Sequence, residues 1–239
     1  MENKDLLERN AGYRWFHIVT AVFVTALIIS NIIAVKLVNI FGLFLPAAVI
    51  VFPIAYIFGD VLTEVYGFAR ARQVIWTGFF CNLLAVAAIW FGGRLPPAPF
   101  WALEPFDSPQ SAQQAYQAIL GFTPRLLLAS FLAYLVGEFL NSFVLAKLKV
   151  RTKGRFLWVR TITSTLIGQG ADSAVFISVA FWGIFPGNAI GQAILSQWSF
   201  KVIYETLATP LTYWIVNALK RAERVDHFDQ DTDFKPIAI

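Results

Sequence analysis

Long apolar stretches alternate with short polar segments along most of the chain. Six stretches approach or exceed the roughly 20 residues that a helix needs to cross about 30 Å of hydrocarbon. We place them at about 15–40, 43–66, 71–92, 124–147, 159–184 and 189–219. The period-2 alternation of barrel strands does not run through them, and lipid requires that backbone groups be satisfied within helices or closed barrels. The pattern therefore predicts an all-α polytopic membrane protein with six transmembrane helices.

Composition agrees with a membrane protein and excludes several classes of function. Of the 239 residues, 57% are hydrophobic and 14% are charged, which is unlike a soluble domain. One cysteine, Cys81, and two histidines, His17 and His227, provide neither a disulfide framework nor the usual ligands of zinc. We therefore expect no catalytic residue, no metal site and no cofactor. The basic residues are spread over several short loops, so we expect no direct contact with nucleic acid.

The 19 lysines and arginines lie mainly on one side of the predicted helices. They cluster in the two tails, in the turn after the second helix and in the connection between the fourth and fifth. The other side has only Arg94 and Arg125. The positive-inside rule then places both termini in the cytoplasm. The chain thus divides into the tail 1–14, the transmembrane domain 15–219 with an extracytoplasmic loop 93–123, and the tail 220–239.

Two segments outside the predicted helices carry their own signals. In the long loop, Ser108 as N-cap, Pro109 at the first helical position and Gly121 just past the end frame a short amphipathic helix. We interpret that loop as a packed surface lid. The C-terminal tail is acidic but contains no known motif, and a solvated, mobile terminus is the expectation for it. Its acidic residues are Asp226, Asp229, Asp231 and Asp233.

Polar side chains inside the apolar stretches indicate a functional site. Each ionisable residue there costs roughly 2.5 to 3.5 kcal/mol on insertion scales, so it needs a function or a partner. Helical spacing places such residues on one face of the second, fourth and fifth helices, and the first helix adds an asparagine. The predicted substrate-binding residues are Asn31, Tyr56, Asp60, Glu64, Glu138, Asn141, Gln169 and Asp172.

The remaining charges inside the spans are interpreted as neutralising partners. Lys201 and Glu205 are four residues apart on the last helix, so we predict a structural ion pair between them. Lys36 has no such local partner and is expected to neutralise a carboxylate of the site. For Glu64, which we place near the cytoplasmic end of its helix, the candidate partners are Arg70 and Arg72.

Two segments carry a resemblance to a known family. They are Phe52-Pro53-x-x-Tyr56-x-x-x-Asp60-x-x-x-Glu64 and Trp158-x-Arg160-x-x-x-Ser164-Thr165-x-x-x-Gln169-x-x-Asp172. With them the chain resembles the queuosine precursor transporter family, also called the vitamin uptake transporter family. The resemblance implies a six-helix bacterial inner-membrane importer of the deazaguanine precursors of queuosine, a modified base of transfer RNA. One departure is that this chain has Glu138-x-x-Asn141 where many members carry Gln-x-x-Asp.

The chemistry of the polar residues permits that substrate. A guanine-like base presents a ring N–H beside an exocyclic amine, and a carboxylate accepts both in a bidentate pair. The same residues would also suit other polar heterocycles, so the choice of cyano- and aminomethyl-deazaguanine is what the resemblance implies. On that basis we predict an importer of these two precursors that acts through a carboxylate and amide site at the membrane midplane. Its expected partners are the lipid bilayer and, in a homodimer, a second copy of the chain.

Other functions compete with this prediction. The alternative is the substrate-binding subunit of an energy-coupling-factor importer for a vitamin or a nucleobase. The chain has no phosphate-binding loop of an ATP motor, so it acts alone or with a separate motor. An intramembrane enzyme would need a nucleophile or metal that the composition does not offer. A structural scaffold would leave the intramembrane carboxylates unexplained.

Overall fold

The computed structural model describes residues 13–40, 43–101, 106–121, 124–184 and 186–237. This part of the chain is predominantly α-helical, as predicted. The helices are α1 (Phe16–Ile33), α2 (Phe52–Tyr66), α3 (Phe68–Arg94), α4 (Pro109–Leu120), α5 (Pro124–Arg151), α6 (Leu157–Phe181) and α7 (Gly187–Glu223). A short hairpin of β1 (Leu37–Ile40) and β2 (Leu43–Pro46) and a 3-10 helix (Ala47–Ile50) connect α1 to α2.

Three segments of the described chain are long and apolar enough to cross a membrane. They are α1, α3 and a stretch within Pro109–Arg151. The other long helices carry polar side chains, and α2 has 15 residues, which cover only about 22 Å at 1.5 Å per residue. The count of six transmembrane helices therefore remains a prediction.

The first two predicted helices are shorter in the structure than the hydropathy pattern suggests. Instead of continuing to residue 40, α1 ends at Ile33, and the chain then forms the antiparallel β1 and β2 pair. The residues that follow α1 include Val35, Leu37 and Val38, of which the β-branched valines favour strands. Lys36 lies in the turn before β1 and is exposed. It is thus not placed to neutralise a carboxylate inside the bundle.

Helix α2 lies at the centre of the helical bundle. It packs against α1, α3, α5 and α7, and residues 59–68 are all buried. Pro53 stands at the start of the helix, where the first N–H groups have no helical acceptor and a proline costs little. Because α2 is surrounded by protein, polar side chains on it meet other helices rather than lipid.

The helix predicted in the long loop is confirmed as α4. Ser108 caps it through a reciprocal pair of hydrogen bonds with Ser111, and Gly121 follows its last residue. The hydroxyl of Tyr116 donates to the carbonyl of Ile89 at 3.1 Å, which holds α4 against the end of α3. Local capping chemistry therefore sufficed to locate this helix.

The C-terminal tail is docked on the bundle, so the expectation of a solvated, mobile terminus was wrong. The backbone N–H of Phe68 donates to both carboxylate oxygens of Asp229, at 3.1 and 3.0 Å. Asp229 thereby caps the N-terminus of α3, whose preceding residue, Gly67, has no side chain to do so. Arg72 donates to the carbonyls of Asp233 and Lys235, each at 2.8 Å. The acidic tail therefore satisfies donors at the junction of α2 and α3.

Replacing Asp229 with alanine is expected to release the tail from α3. Loss of an N-cap typically costs about 1 kcal/mol, so the tail of the variant should be cleaved faster in limited proteolysis of the purified protein. Asp231→Ala, at an exposed position of the same tail, is the matched control. Equal cleavage rates in the two variants would contradict the capping role.

The same contact predicts a response to acid. Burial alone would raise the pKa of Asp229, but hydrogen bonds from His227, the N–H of Phe68 and Thr232 hold that pKa below its usual value. A depressed pKa stabilises the folded form above the unfolded pKa of about 3.9, and this stabilisation is lost as pH falls through the folded value. Tail docking should therefore persist at pH 5 and above, and limited proteolysis would measure it.

Candidate functional site

Three polar residues lie one turn apart on α2, and each of them is near its own group of side chains. They are Tyr56, Asp60 and Glu64, and four residues of helix correspond to about 6 Å. We call the groups the first, middle and last layer, in the order of α2. The first layer contains Tyr56, Glu138, Asp172 and Lys201; the middle layer contains Asp60, Asn141 and Glu205; the last layer contains Glu64, Lys149, Arg160 and Lys220.

An ion pair between α6 and α7 dominates the first layer. The Lys201 ammonium donates to a carboxylate oxygen of Asp172. It also lies 5.8 Å from the centre of the Tyr56 ring, within the range of a cation–π contact. Glu138 interacts electrostatically with both members of the pair. The layer therefore holds two carboxylates and one ammonium.

This arrangement corrects the predicted ion pair between Lys201 and Glu205. Their spacing on α7 permits a contact, but such pairs on one helix contribute only about 0.2 to 0.5 kcal/mol. Asp172 comes from the neighbouring helix and binds Lys201 instead. Glu205 is left in the middle layer.

The middle layer is rich in hydrogen-bond acceptors. The Asn141 amide donates to one carboxylate oxygen of Asp60 at 2.7 Å. The other Asp60 oxygen, the Asn141 carbonyl oxygen and both Glu205 oxygens are buried and have no hydrogen-bond partner among the described residues. Asp60 and Glu205 interact electrostatically. Since buried acceptors are normally paired, a ligand with several N–H groups or a bound proton would satisfy this layer.

Gln169 adds a further acceptor on α6. Its side-chain carbonyl oxygen is buried and also without a partner in the described structure. The preceding residue, Gly168, lies directly against Asn141, so Gln169 lies on α6 at the height of the middle layer. Asn31, by contrast, is half-buried in the last turn of α1, whereas the adjacent Ser30 is fully buried. The first helix thus presents Ser30, a residue that the sequence reasoning missed, to the interior.

Glu64 is the centre of an ion network in the last layer. Arg160 donates to both of its carboxylate oxygens, at 3.2 and 2.8 Å. Lys220 donates at 2.6 Å and the Lys149 ammonium lies at 3.6 Å. The predicted partners, Arg70 and Arg72, are replaced by these residues because the fold brings α5, α6 and α7 to this end of α2. The Glu64 side chain is 0% exposed, so the network separates the first and middle layers from solvent at this end of α2.

The C-terminal tail completes the last layer. Asp226 binds Lys149 at 2.6 Å and Lys220 at 2.8 Å. Partial burial alone would raise the pKa of Asp226, but the hydrogen bonds and charges of these two lysines hold it below its usual value. Three cations of this layer therefore face two carboxylates. Sequence spacing offered no signal for this network, because its members come from α2, α5, α6, α7 and the tail.

Glycines let α5 and α6 approach closely at the site. A methyl group on Gly137 would lie 2.7 Å from the Asp172 Cβ, and one on Gly168 would lie 2.7 Å from the Asn141 Cβ. Such distances are too short for two carbon atoms. The two glycines therefore allow the carboxylates and amides of the first and middle layers to face each other, as small residues do between membrane helices.

Replacing Gly168 with alanine is expected to push α5 and α6 apart and to lower stability by about 1 to 3 kcal/mol, the usual cost of overpacking. Thermal unfolding of the purified protein in detergent measures this. Gly191→Ala on α7 is the control, because no heavy atom lies within 4 Å of the added methyl group, and alanine is the better helix former. A loss of stability in both variants would show that packing at Gly168 is not the cause.

Comparisons with known proteins point in one direction. The profile of the family described as "Putative vitamin uptake transporter" matches residues 46–215. A relative from Bacillus subtilis (strain 168), named "Probable queuosine precursor transporter", is 31% identical over 83% of each chain. The "Queuosine precursor transporter" of Escherichia coli (strain K12) is 26% identical over 73% of each chain. No solved structure matches. The region matched by the family contains the first and middle layers and most of the last layer, whereas Lys220 lies beyond its end.

Proposed function

The chain belongs to the vitamin uptake transporter family, and on that premise we propose that it imports queuosine precursors across the bacterial inner membrane. Two relatives that match over most of their length carry the name of such a transporter. The proposed substrates are cyano- and aminomethyl-deazaguanine, and the proposed binding site is formed by the first and middle layers.

The observation that carries this proposal is the set of unpartnered acceptor oxygens in the middle layer. Buried acceptors without donors are costly, and a guanine-like base supplies three N–H bonds on its ring nitrogen and exocyclic amine. Asp60 would accept two of these in a bidentate pair, and Gln169 would take the third. The additional ammonium group of the aminomethyl precursor would bind to the carboxylates of the first layer. There Asp172 is paired with Lys201, and Glu138 interacts with the same lysine electrostatically.

We further propose that α1, α2, α3, α5, α6 and α7 each cross the membrane, with both termini in the cytoplasm. For α2, the short hairpin and 3-10 helix before it would supply the missing length. The last layer and the docked tail gather Arg72, Lys149, Arg160 and Lys220 at one end of the bundle. The positive-inside rule assigns that end to the cytoplasm. In this orientation the ion network of Glu64 closes the site on the cytoplasmic side.

The test is uptake by cells that cannot make queuosine precursors and that lack any energy-coupling-factor motor. The chain is expressed, one precursor is supplied, and queuosine in transfer RNA is measured. Restored queuosine would support autonomous import. Restoration only when a motor is added would favour the binding-subunit alternative, and no restoration despite normal expression would overturn the proposed substrate.

A further inference from the structure

Glu205 is a buried carboxyl group that has no counter-ion among the described residues. It is 1% exposed, and neither of its oxygens has a hydrogen-bond partner in the described part of the chain. The lysine one turn away, Lys201, is bonded to Asp172. An isolated carboxylate inside a membrane protein is costly, so Glu205 requires a partner that the protein side chains do not supply.

Among the described residues, the groups that act on Asp60 do not provide a cation either. Asp60 interacts electrostatically with Glu205 on α7, Glu138 on α5 and Glu64 on its own helix, while Asn141 is its hydrogen-bond donor. The positive groups of the last layer are bonded to other carboxylates, which are Glu64 and Asp226. If both members of the pair were ionised, two negative charges would face each other without compensation.

A proton resolves this arrangement. Two carboxyl groups that cannot both ionise share one proton, which converts one of them into an O–H donor for a neighbouring acceptor. We propose that Asp60 and Glu205 form a proton-binding pair and that its proton crosses the membrane together with the substrate. This inference rests on the proposed function for the identity of the substrate, whereas the proton site itself rests on the structure.

The shared proton also has a role in recognition. The middle layer offers acceptors to the N–H groups of a guanine-like base, but the amide donor of Asn141 is already bonded to Asp60. The carbonyl oxygen of the base needs a donor as well. A protonated Glu205 supplies that donor while the ionised Asp60 accepts the N–H groups. Substrate and proton would therefore bind together, and an inward proton gradient would drive accumulation.

The transport test uses the full chain in proteoliposomes with labelled cyano-deazaguanine. Counterflow exchange reports substrate binding and passage, and an imposed gradient, acidic outside, reports coupling. We expect the gradient to raise wild-type accumulation several-fold. The amide of Glu205→Gln can still donate to the carbonyl oxygen of the base but cannot exchange a proton, so counterflow should be reduced and the gradient should have no effect on accumulation. The coupling would be overturned by a wild type that shows counterflow but no rise in accumulation under the gradient. It would also be overturned by a Glu205→Gln variant whose accumulation still rises under the gradient.

A second measurement separates failure of the coupling from failure of the substrate assignment. If the wild type shows no counterflow, the proposed function fails, and the proton site is decided by infrared spectroscopy of the purified protein without substrate. A protonated carboxyl group gives a C=O stretching band that shifts in D₂O. Glu138 is a second buried carboxyl group and can contribute to this band. We therefore expect the same band intensity in the wild type and in the exposed control Asp231→Asn, and a lower intensity in Glu205→Gln. A wild type without the band, or an unchanged intensity in Glu205→Gln, would overturn the proton site.

Discussion

Replacing Arg160 with methionine is expected to lower the amount of correctly folded protein in the membrane strongly. Arg160 donates to both oxygens of Glu64, which is fully buried. Lys149 and Lys220 remain beside Glu64 in this variant, but the two charge-assisted hydrogen bonds that Arg160 makes are lost, and each typically contributes about 1.5 to 3 kcal/mol. That is a large part of the stability of an ordinary domain.

Fluorescence-detected size-exclusion chromatography and thermal unfolding would measure this loss. The matched control is Arg151→Met, which removes an exposed arginine at the end of α5. If Arg160→Met were as stable as the control, the Glu64 network would not have the structural role assigned to it.

The second large effect is expected at Asp60, and it concerns transport rather than folding. Asp60→Asn keeps the shape of the side chain but removes the charge that would accept the N–H groups of the substrate. Hydrogen bonds to charged groups contribute about 1.5 to 3 kcal/mol, so substrate affinity should fall by roughly 100-fold for a loss near 2.7 kcal/mol. Thermal stability should not fall, because the variant removes a buried carboxylate that has no cation among the described residues.

The affinity for cyano-deazaguanine would be measured on the purified protein from the shift that the ligand causes in the unfolding temperature of the protein. Wild-type affinity in Asp60→Asn would refute the role of that residue. Asp60 and Glu64 are one turn apart on α2, yet the variants at the two layers are expected to differ in kind. A variant in the last layer loses folded protein, whereas Asp60→Asn loses ligand binding in a folded protein.

Features that depend on local geometry could be predicted from the sequence. The helical period places Tyr56, Asp60 and Glu64 on one face of α2, and the structure confirms that each faces other helices. Capping chemistry located α4 between Ser108 and Gly121. Hydropathy identified the helical class of the fold. Hydropathy overestimated the lengths of the first two helices because it measures apolarity, and the strand-forming residues between Ile33 and Phe52 are apolar as well.

The choice of partners across helices was decided by the tertiary structure. From sequence, Lys201 had a neighbour in Glu205 and Glu64 had neighbours in Arg70 and Arg72. In the fold, Lys201 binds Asp172, and Glu64 binds Arg160, which is 96 residues away. Local charge pairs contribute only tenths of a kcal/mol, so the distances between packed helices determine which pair forms.

The sequence by itself thus determined which residues are polar in an apolar surrounding and which of them share a helix face, because these properties follow from residue type and helical period. Only the tertiary structure decided which carboxylates are neutralised, that the acidic tail is bound to the start of α3, and that Glu205 and Asp60 have no cation among the described residues. Those outcomes depend on where separate helices place their side chains. In the first and middle layers, the close approach of α5 and α6 at Gly137 and Gly168 contributes to these positions.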